Sequence, residues 1–210
     1  MAPALVHLRQ ADPILAGVID QVGECRLKPA EKVDFFAALL RSIIYQQLHG
    51  KAAAAIHARV LATVGGKPRA AAFSAIPDQT LRAAGLSANK LLALRDLAAK
   101  TLDGTVPTPR VVATLSDDEL IERLVSVRGI GPWTVHVLMI FHLGRPDVMP
   151  TGDFAIRKAF SLLYRRGRAV SPAAILRHAR RWQPYRSVAS WYLWRSLELP
   201  LSALPKATRR

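Results

Sequence analysis

The 210-residue chain has a single cysteine, Cys25. One thiol can neither close an intramolecular disulfide nor supply the four thiolates of an iron–sulfur cluster. Aromatic residues are scarce at 7%, and acidic residues are scarce against cations, 15 Asp and Glu facing 30 Lys and Arg. No apolar run reaches 18 residues, so no segment reads as a membrane-crossing helix. The opening Met1-Ala2-Pro3-Ala4-Leu5 lacks the basic segment and long apolar core of a secretory signal, which makes the cytoplasm the expected location. His57, His136, His142 and His178 are scattered, without the spacing of metal ligands.

What is present is apolar and basic. Half of the residues are apolar, and the formal net charge is +15. A balance this positive points to a polyanion. Nucleic acid comes first, because Lys and Arg that neutralise phosphates release counterions; an anionic membrane surface is the competing reading.

The patterning is helical almost throughout. Phe35, Phe36, Leu39, Leu40, Ile43 and Ile44 form a stripe at helical spacing over 34–47. An Ala-rich helix over 51–64 ends at Gly65-Gly66, and Ser87 is placed to cap a helix running to about Leu102. Ser116 with Glu119 three residues later fits a capping box for a helix ending at Arg128-Gly129. Further helices are expected from Pro132 to Leu143, from Asp153 to Leu163, after Ser171-Pro172, and from Arg186 to Glu198. No run has the alternation of a strand, so the expected class is all-α. The tail 206–210 is expected to be mobile.

Two motifs carry chemistry. Val127-Arg128-Gly129-Ile130-Gly131-Pro132-Trp133-Thr134 joins two helices. Its glycines permit positive φ and close approach of another backbone, and the first amides of the following helix suit a phosphate. By itself this is an ordinary interhelical turn more often than not. Downstream, Val148-Met149-Pro150-Thr151-Gly152-Asp153-Phe154 leads into a helix. Taken alone, Asp153 is a helix N-cap, where free amides and the helix dipole favour a carboxylate.

Together the two motifs resemble the helix-hairpin-helix DNA glycosylases, whose signature is a hairpin, a Gly/Pro-rich loop and an aspartate. Within these the match is to the DNA-3-methyladenine glycosylase II type. Ser42-Ile43-Ile44-Tyr45-Gln46-Gln47-Leu48, Gly85-Leu86-Ser87-Ala88-Asn89-Lys90 and the stretch from Trp182 to Trp194 fit in the same order, so the resemblance covers roughly 33–198. Longer members carry an additional N-terminal β-containing domain, and this chain resembles the compact helical ones. The resemblance implies two helical lobes around a cleft: 33–145 as the central lobe, with the helix-hairpin-helix near 116–143, and 1–32 with 146–210 as the second. The hairpin and the aspartate would meet at the junction.

The same resemblance implies the residue roles. Asp153 is the catalytic carboxylate, suited to stabilise an oxocarbenium-like sugar and to orient or activate water. Trp133 stands where bifunctional relatives carry a lysine that forms a Schiff base; an indole has no amine, so simple hydrolysis to an abasic site is expected. Trp133, Trp194 and Phe154 would line the pocket for a flipped, positively charged alkylated base of the 3-methyladenine or 7-methylguanine kind. Val137 stands where the longer enzyme has an aromatic residue, which opens the pocket. Leu48, then Gln47, with Gln46, would form the wedge that fills the gap in the duplex. Gly129, Ile130, Gly131 and Thr134 would hold the DNA backbone. Main-chain carbonyls of Val125, Val127 and Ile130 would hold a structural monovalent cation, Na or K; no other cofactor is implied, and no iron–sulfur cluster. The expected partner is double-stranded DNA with damaged bases, bound by a monomer and not at a membrane. The competing functions are a glycosylase for oxidised or deaminated bases and a non-catalytic hairpin module that only binds DNA.

Overall fold

The computed structural model describes residues 1–28 and 34–205; the expectation for the 206–210 tail lies outside them. Among the described residues every regular element is a helix. The chain divides into two compact units, Lys32–Val135, and Met1–Glu31 with His136–Arg210. The bound expected at 145 therefore falls after Val135. The physical reason is that the end of the hairpin's second helix belongs with the chain-end helices: Phe141 packs on Trp194, ring centroids 5.4 Å apart.

In the unit 32–135 the elements are α3 (Phe35–Tyr45), α4 (Gly50–Thr63), α5 (Ala70–Ala75), α6 (Asp78–Ala83), α7 (Ala88–Leu102), α8 (Pro109–Val112) and α9 (Asp117–Val125), followed by the start of α10 (Pro132–Phe141). The stripe over 34–47 is buried as its spacing requires, with Leu39, Leu40 and Ile44 fully enclosed. It faces α7, whose Leu94, Leu97 and Ala98 are equally enclosed, while Phe73 of α5 closes the core against Phe36. Burying each of these large side chains contributes about 1.5–3 kcal/mol.

The other unit begins with α1 (Ala2–Ala11) and α2 (Pro13–Val22) and continues after α10 with α11 (Phe154–Arg165), α12 (Pro172–Ala179) and α13 (Arg186–Ser196). A short 3-10 turn, Arg180–Trp182, links the last two helices. Ile156, Ala159, Phe160 and Leu163 form the buried stripe of α11, and α13 turns Ala189, Tyr192 and Leu193 onto the same core. At its centre lies a carboxylate. Asp12, 2% exposed, caps α2 by accepting the Ile14 and Leu15 N–H groups on Oδ1. Its Oδ2 accepts from Tyr164 at 3.0 Å, His178 Nε2 at 2.9 Å and Trp182 Nε1 at 3.0 Å. Burial by itself would raise the Asp12 pKa; the donors from His178, Leu15 and Trp182 outweigh it and hold the carboxyl below its ordinary value. Burial, then the neighbouring Asp12 charge, push the Tyr164 hydroxyl well above its own.

Candidate active site

Asp153 is the N-cap of α11. Its Oδ1 accepts the Ile156 N–H at 2.8 Å, the geometry the sequence implies for a carboxylate one residue before a helix. The same Oδ1 accepts the indole N–H of Trp194 at 3.1 Å. Two donors on one oxygen fix the plane of the carboxylate, and so the direction of both oxygens. The side chain is 8% exposed, whereas the next residue, Phe154, is 73% exposed on the first turn of the helix. A mostly hidden, oriented carboxylate is thus followed in the chain by an exposed phenyl ring.

The approach to Asp153 is held by α13. Asp147 binds Arg186 through both oxygens, to Nε at 2.8 Å and Nη2 at 2.9 Å, and also accepts the Arg186 N–H. Burial would raise the Asp147 carboxyl, but these bonds hold it below its usual range. Ser187 donates its hydroxyl to the Arg145 carbonyl and receives the Val148 N–H, whereas the Ser190 hydroxyl has its nearest acceptor in its own helix, the Arg186 carbonyl at 2.8 Å. Arg186 and Asp147 are therefore a structural pair, and Trp182 and Trp191 are buried packing residues. From sequence, Arg186 and Ser187 read as structural or phosphate-binding residues; the pairing of Arg186 with Asp147 was not legible, because its partner lies 39 positions away.

The hairpin and the loop expected to form the wedge are brought together within the unit 32–135. The expected capping box is present at Ser116 and Glu119. Between α9 and α10, Gly129 takes φ +79°, a left-handed conformation suited to glycine. Gly131 does not use positive φ, and a side chain there would meet nothing within 4 Å. Ile130 and Thr134 are buried, and the Ile130 N–H is donated to the Val127 carbonyl at 3.0 Å. Trp133 is 47% exposed in the first turn of α10.

After α3, Gln47 adopts φ +56°, unusual for a residue other than glycine, and Leu48 is exposed. Gln46 departs from its expected place in the wedge: its amide donates to the Gly129 carbonyl at 2.8 Å, so the side chain is turned onto the hairpin. The tip offered to solvent is Gln47-Leu48. Asp153, Trp194 and Phe154 belong to the unit of the chain ends, and Trp133, Gln46, Gln47 and Leu48 to the other.

A helical hairpin with glycine at its turn, followed by a loop and an oriented aspartate at a helix start, defines a class. The chain belongs to the HhH-GPD superfamily of base excision DNA repair proteins, whose family model matches residues 40–184. It is 36% identical over 202 residues to DNA-3-methyladenine glycosylase 1 of Schizosaccharomyces pombe, covering 95% of this chain and 89% of that protein. The structure of the S. pombe enzyme in complex with abasic DNA superposes with a TM-score of 0.81, covering 95% of this chain and 98% of that one at 35% identity. A DNA-3-methyladenine glycosidase of Bacillus halodurans superposes with a TM-score of 0.85 at 32% identity, covering 92% of this chain and 88% of its own. No helix among the described residues is long and apolar enough to cross a membrane.

Proposed function

We propose that this protein is a monofunctional DNA glycosylase that binds damaged double-stranded DNA as a monomer and hydrolyses the N-glycosidic bond of alkylated bases. The observation that carries the reading is the Asp153 carboxylate, oriented on Oδ1 by Ile156 and Trp194 at the start of α11. Loss of a base leaves oxocarbenium character on the sugar, and a preorganised carboxylate stabilises that charge and orients the attacking water. A base must leave the stack to be reached. Phe154 and Trp133 each offer an exposed aromatic face, and Trp194 stands against the carboxylate itself. A cationic 3-methyladenine or 7-methylguanine gains about 0.5–2 kcal/mol from such a face. The positive charge also makes these bases better leaving groups, so a weakly selective pocket suffices.

Trp133 has no amine with which to form a Schiff base, so the product is an abasic site in an intact strand. Gln47 and Leu48 fill the space the base leaves, while Gln46 holds the tip to the hairpin. The main chain around Gly129 and Gly131 grips the backbone. A structural monovalent cation, Na or K, is held by the main-chain carbonyls of Val125, Val127 and Ile130, the Val127 oxygen keeping a lone pair beyond the one that accepts the Ile130 N–H.

The test is incubation with randomly methylated duplex DNA and identification of the bases released. The protein should free methylated purines. Asp153→Asn, which keeps a good N-cap and therefore the fold, should lose at least about a hundredfold in single-turnover rate while still binding DNA. Base release by that variant at the wild-type rate would sink the mechanism.

A further inference from the structure

The wedge loop and the hairpin lean on one helix, α7. Near its start, the Lys90 ammonium donates to the carbonyls of Ile44 and Gln46, the latter at 2.9 Å. These lie at the end of α3, where carbonyls lack intrahelical partners and a cation meets the negative end of the helix dipole. Further along, Asp96 accepts the Arg128 N–H at 2.7 Å and pairs with Lys100 at 3.0 Å, and Lys100 donates to the Ser126 carbonyl. Between them, Ala93 lies 3.4 Å from where a side chain on Gly129 would begin. The Gln46 amide closes the circuit from tip to hairpin.

From Lys90 to Lys100 is ten residues, about 15 Å of rigid helix. The contacts fall almost wholly on main-chain groups, so the side chains of Gln47 and Leu48 stay exposed for another purpose. Gln47 is held in a left-handed conformation that a side chain disfavours, which persists only where the surroundings over-determine it. Burial lowers the Lys90 pKa, in keeping with an ammonium turned inward onto carbonyls.

We propose that α7 is a ruler that sets the spacing between the tip entering the duplex and the hairpin gripping its backbone, with Lys90 as the positioning residue. The proposal rests on the reading that Gln47-Leu48 enters damaged DNA. A tip free to wander must be ordered at each insertion, which weakens binding; a tip ordered beforehand does not. An ordinary helix cap would account for the Lys90 bonds, but not for the second clamp on the hairpin or for the amide joining the two loops.

The experiment uses the full chain with a duplex bearing a stable abasic-site analogue and the same duplex undamaged. Lys90→Met and Gln46→Ala should each lower the ratio of damaged to undamaged affinity about tenfold. Undamaged affinity should hold in Lys90→Met, and Lys90→Arg should restore part of the ratio. The deciding measurement is a double-mutant cycle with Leu48→Ala. If Lys90 acts through the tip, Lys90→Met with Leu48→Ala loses no more than Leu48→Ala alone. Additive losses would make Lys90 an ordinary cap and overturn the ruler alone. A wild-type protein that does not discriminate between the duplexes would overturn the functional reading and the ruler with it. Should Lys90→Met fail to fold, Gln46→Ala, at a partly exposed loop position, runs the same cycle.

Discussion

Replacing Asp12 should unfold the chain-end unit well before any surface change would. In Asp12→Ala the α2 cap is lost, which costs about 1 kcal/mol. Three donors also lose their acceptor: the Tyr164 hydroxyl, His178 Nε2 and Trp182 Nε1. A hydroxyl can rotate and an imidazole can change tautomer, but the indole of Trp182 is 0% exposed and can only donate. A stranded buried donor costs about 1–3 kcal/mol, and partial losses at the other two bring the total to about 3–5 kcal/mol. For a chain of this size that lowers Tm by about 6–20 °C. Asp12→Asn keeps the cap oxygen but turns an amide toward the indole, so about 1–3 kcal/mol is expected. The Asp12 carboxyl is held below its ordinary value in the folded state, so its contribution is present above the unfolded pKa of about 3.9 and fades as pH falls through the lower folded value. Thermal melts of wild type and Asp12→Asn should therefore be well separated at neutral pH and converge in acid. Coincident melts at neutral pH, or a gap that does not narrow below about pH 4, would refute the account.

Three further outcomes are expected. Affinity for undamaged duplex should fall steeply with salt, log K changing by about −0.9 per phosphate contacted for each decade, and a flat response would remove the nucleic-acid reading. Borohydride should trap no covalent adduct with a lesion-bearing duplex, because Trp133 offers no amine; a trapped adduct would demand an unidentified nucleophile. Arg166→Gly should stabilise the protein by about 0.5–1 kcal/mol in urea unfolding, since Arg166 sits at φ +52° and relief of left-handed strain exceeds the added freedom of the unfolded chain.

Local signals made much of the fold legible. Ser87, Ser116 and Ser171 cap α7, α9 and α12 through the bonds their sequence spacing implies, and the stripe over 34–47 is buried. The first two helices escaped notice, although Asp12-Pro13 is a cap followed by a proline in the tolerated first turn. Asp12 could not be valued from sequence at all, because its side-chain partners lie 152 to 170 positions away. Lys90 shares that difficulty: it reaches carbonyls 44 to 46 positions back, and main-chain acceptors leave no trace in residue identity. The Gln46 bond was illegible for the same reason, its partner being a carbonyl 83 residues on.

The proposed function asks Asp153 to be both helix cap and reactive carboxylate, and the cap geometry is compatible with that double use. A cap bond to Ile156 takes Oδ1 and removes rotation about the side-chain bonds; the Trp194 indole confirms the same orientation from α13. That helix also ties down the preceding loop through Arg186 and Ser187. Sites that act by electrostatic preorganisation need their charge placed before the substrate arrives, not moved when it does. Here the placement comes from the most ordinary of backbone interactions, a helix cap. Under the proposed function the stretch from Trp182 to Trp194 matters for this reason: it supplies the bonds that orient the carboxylate and hold the loop before it.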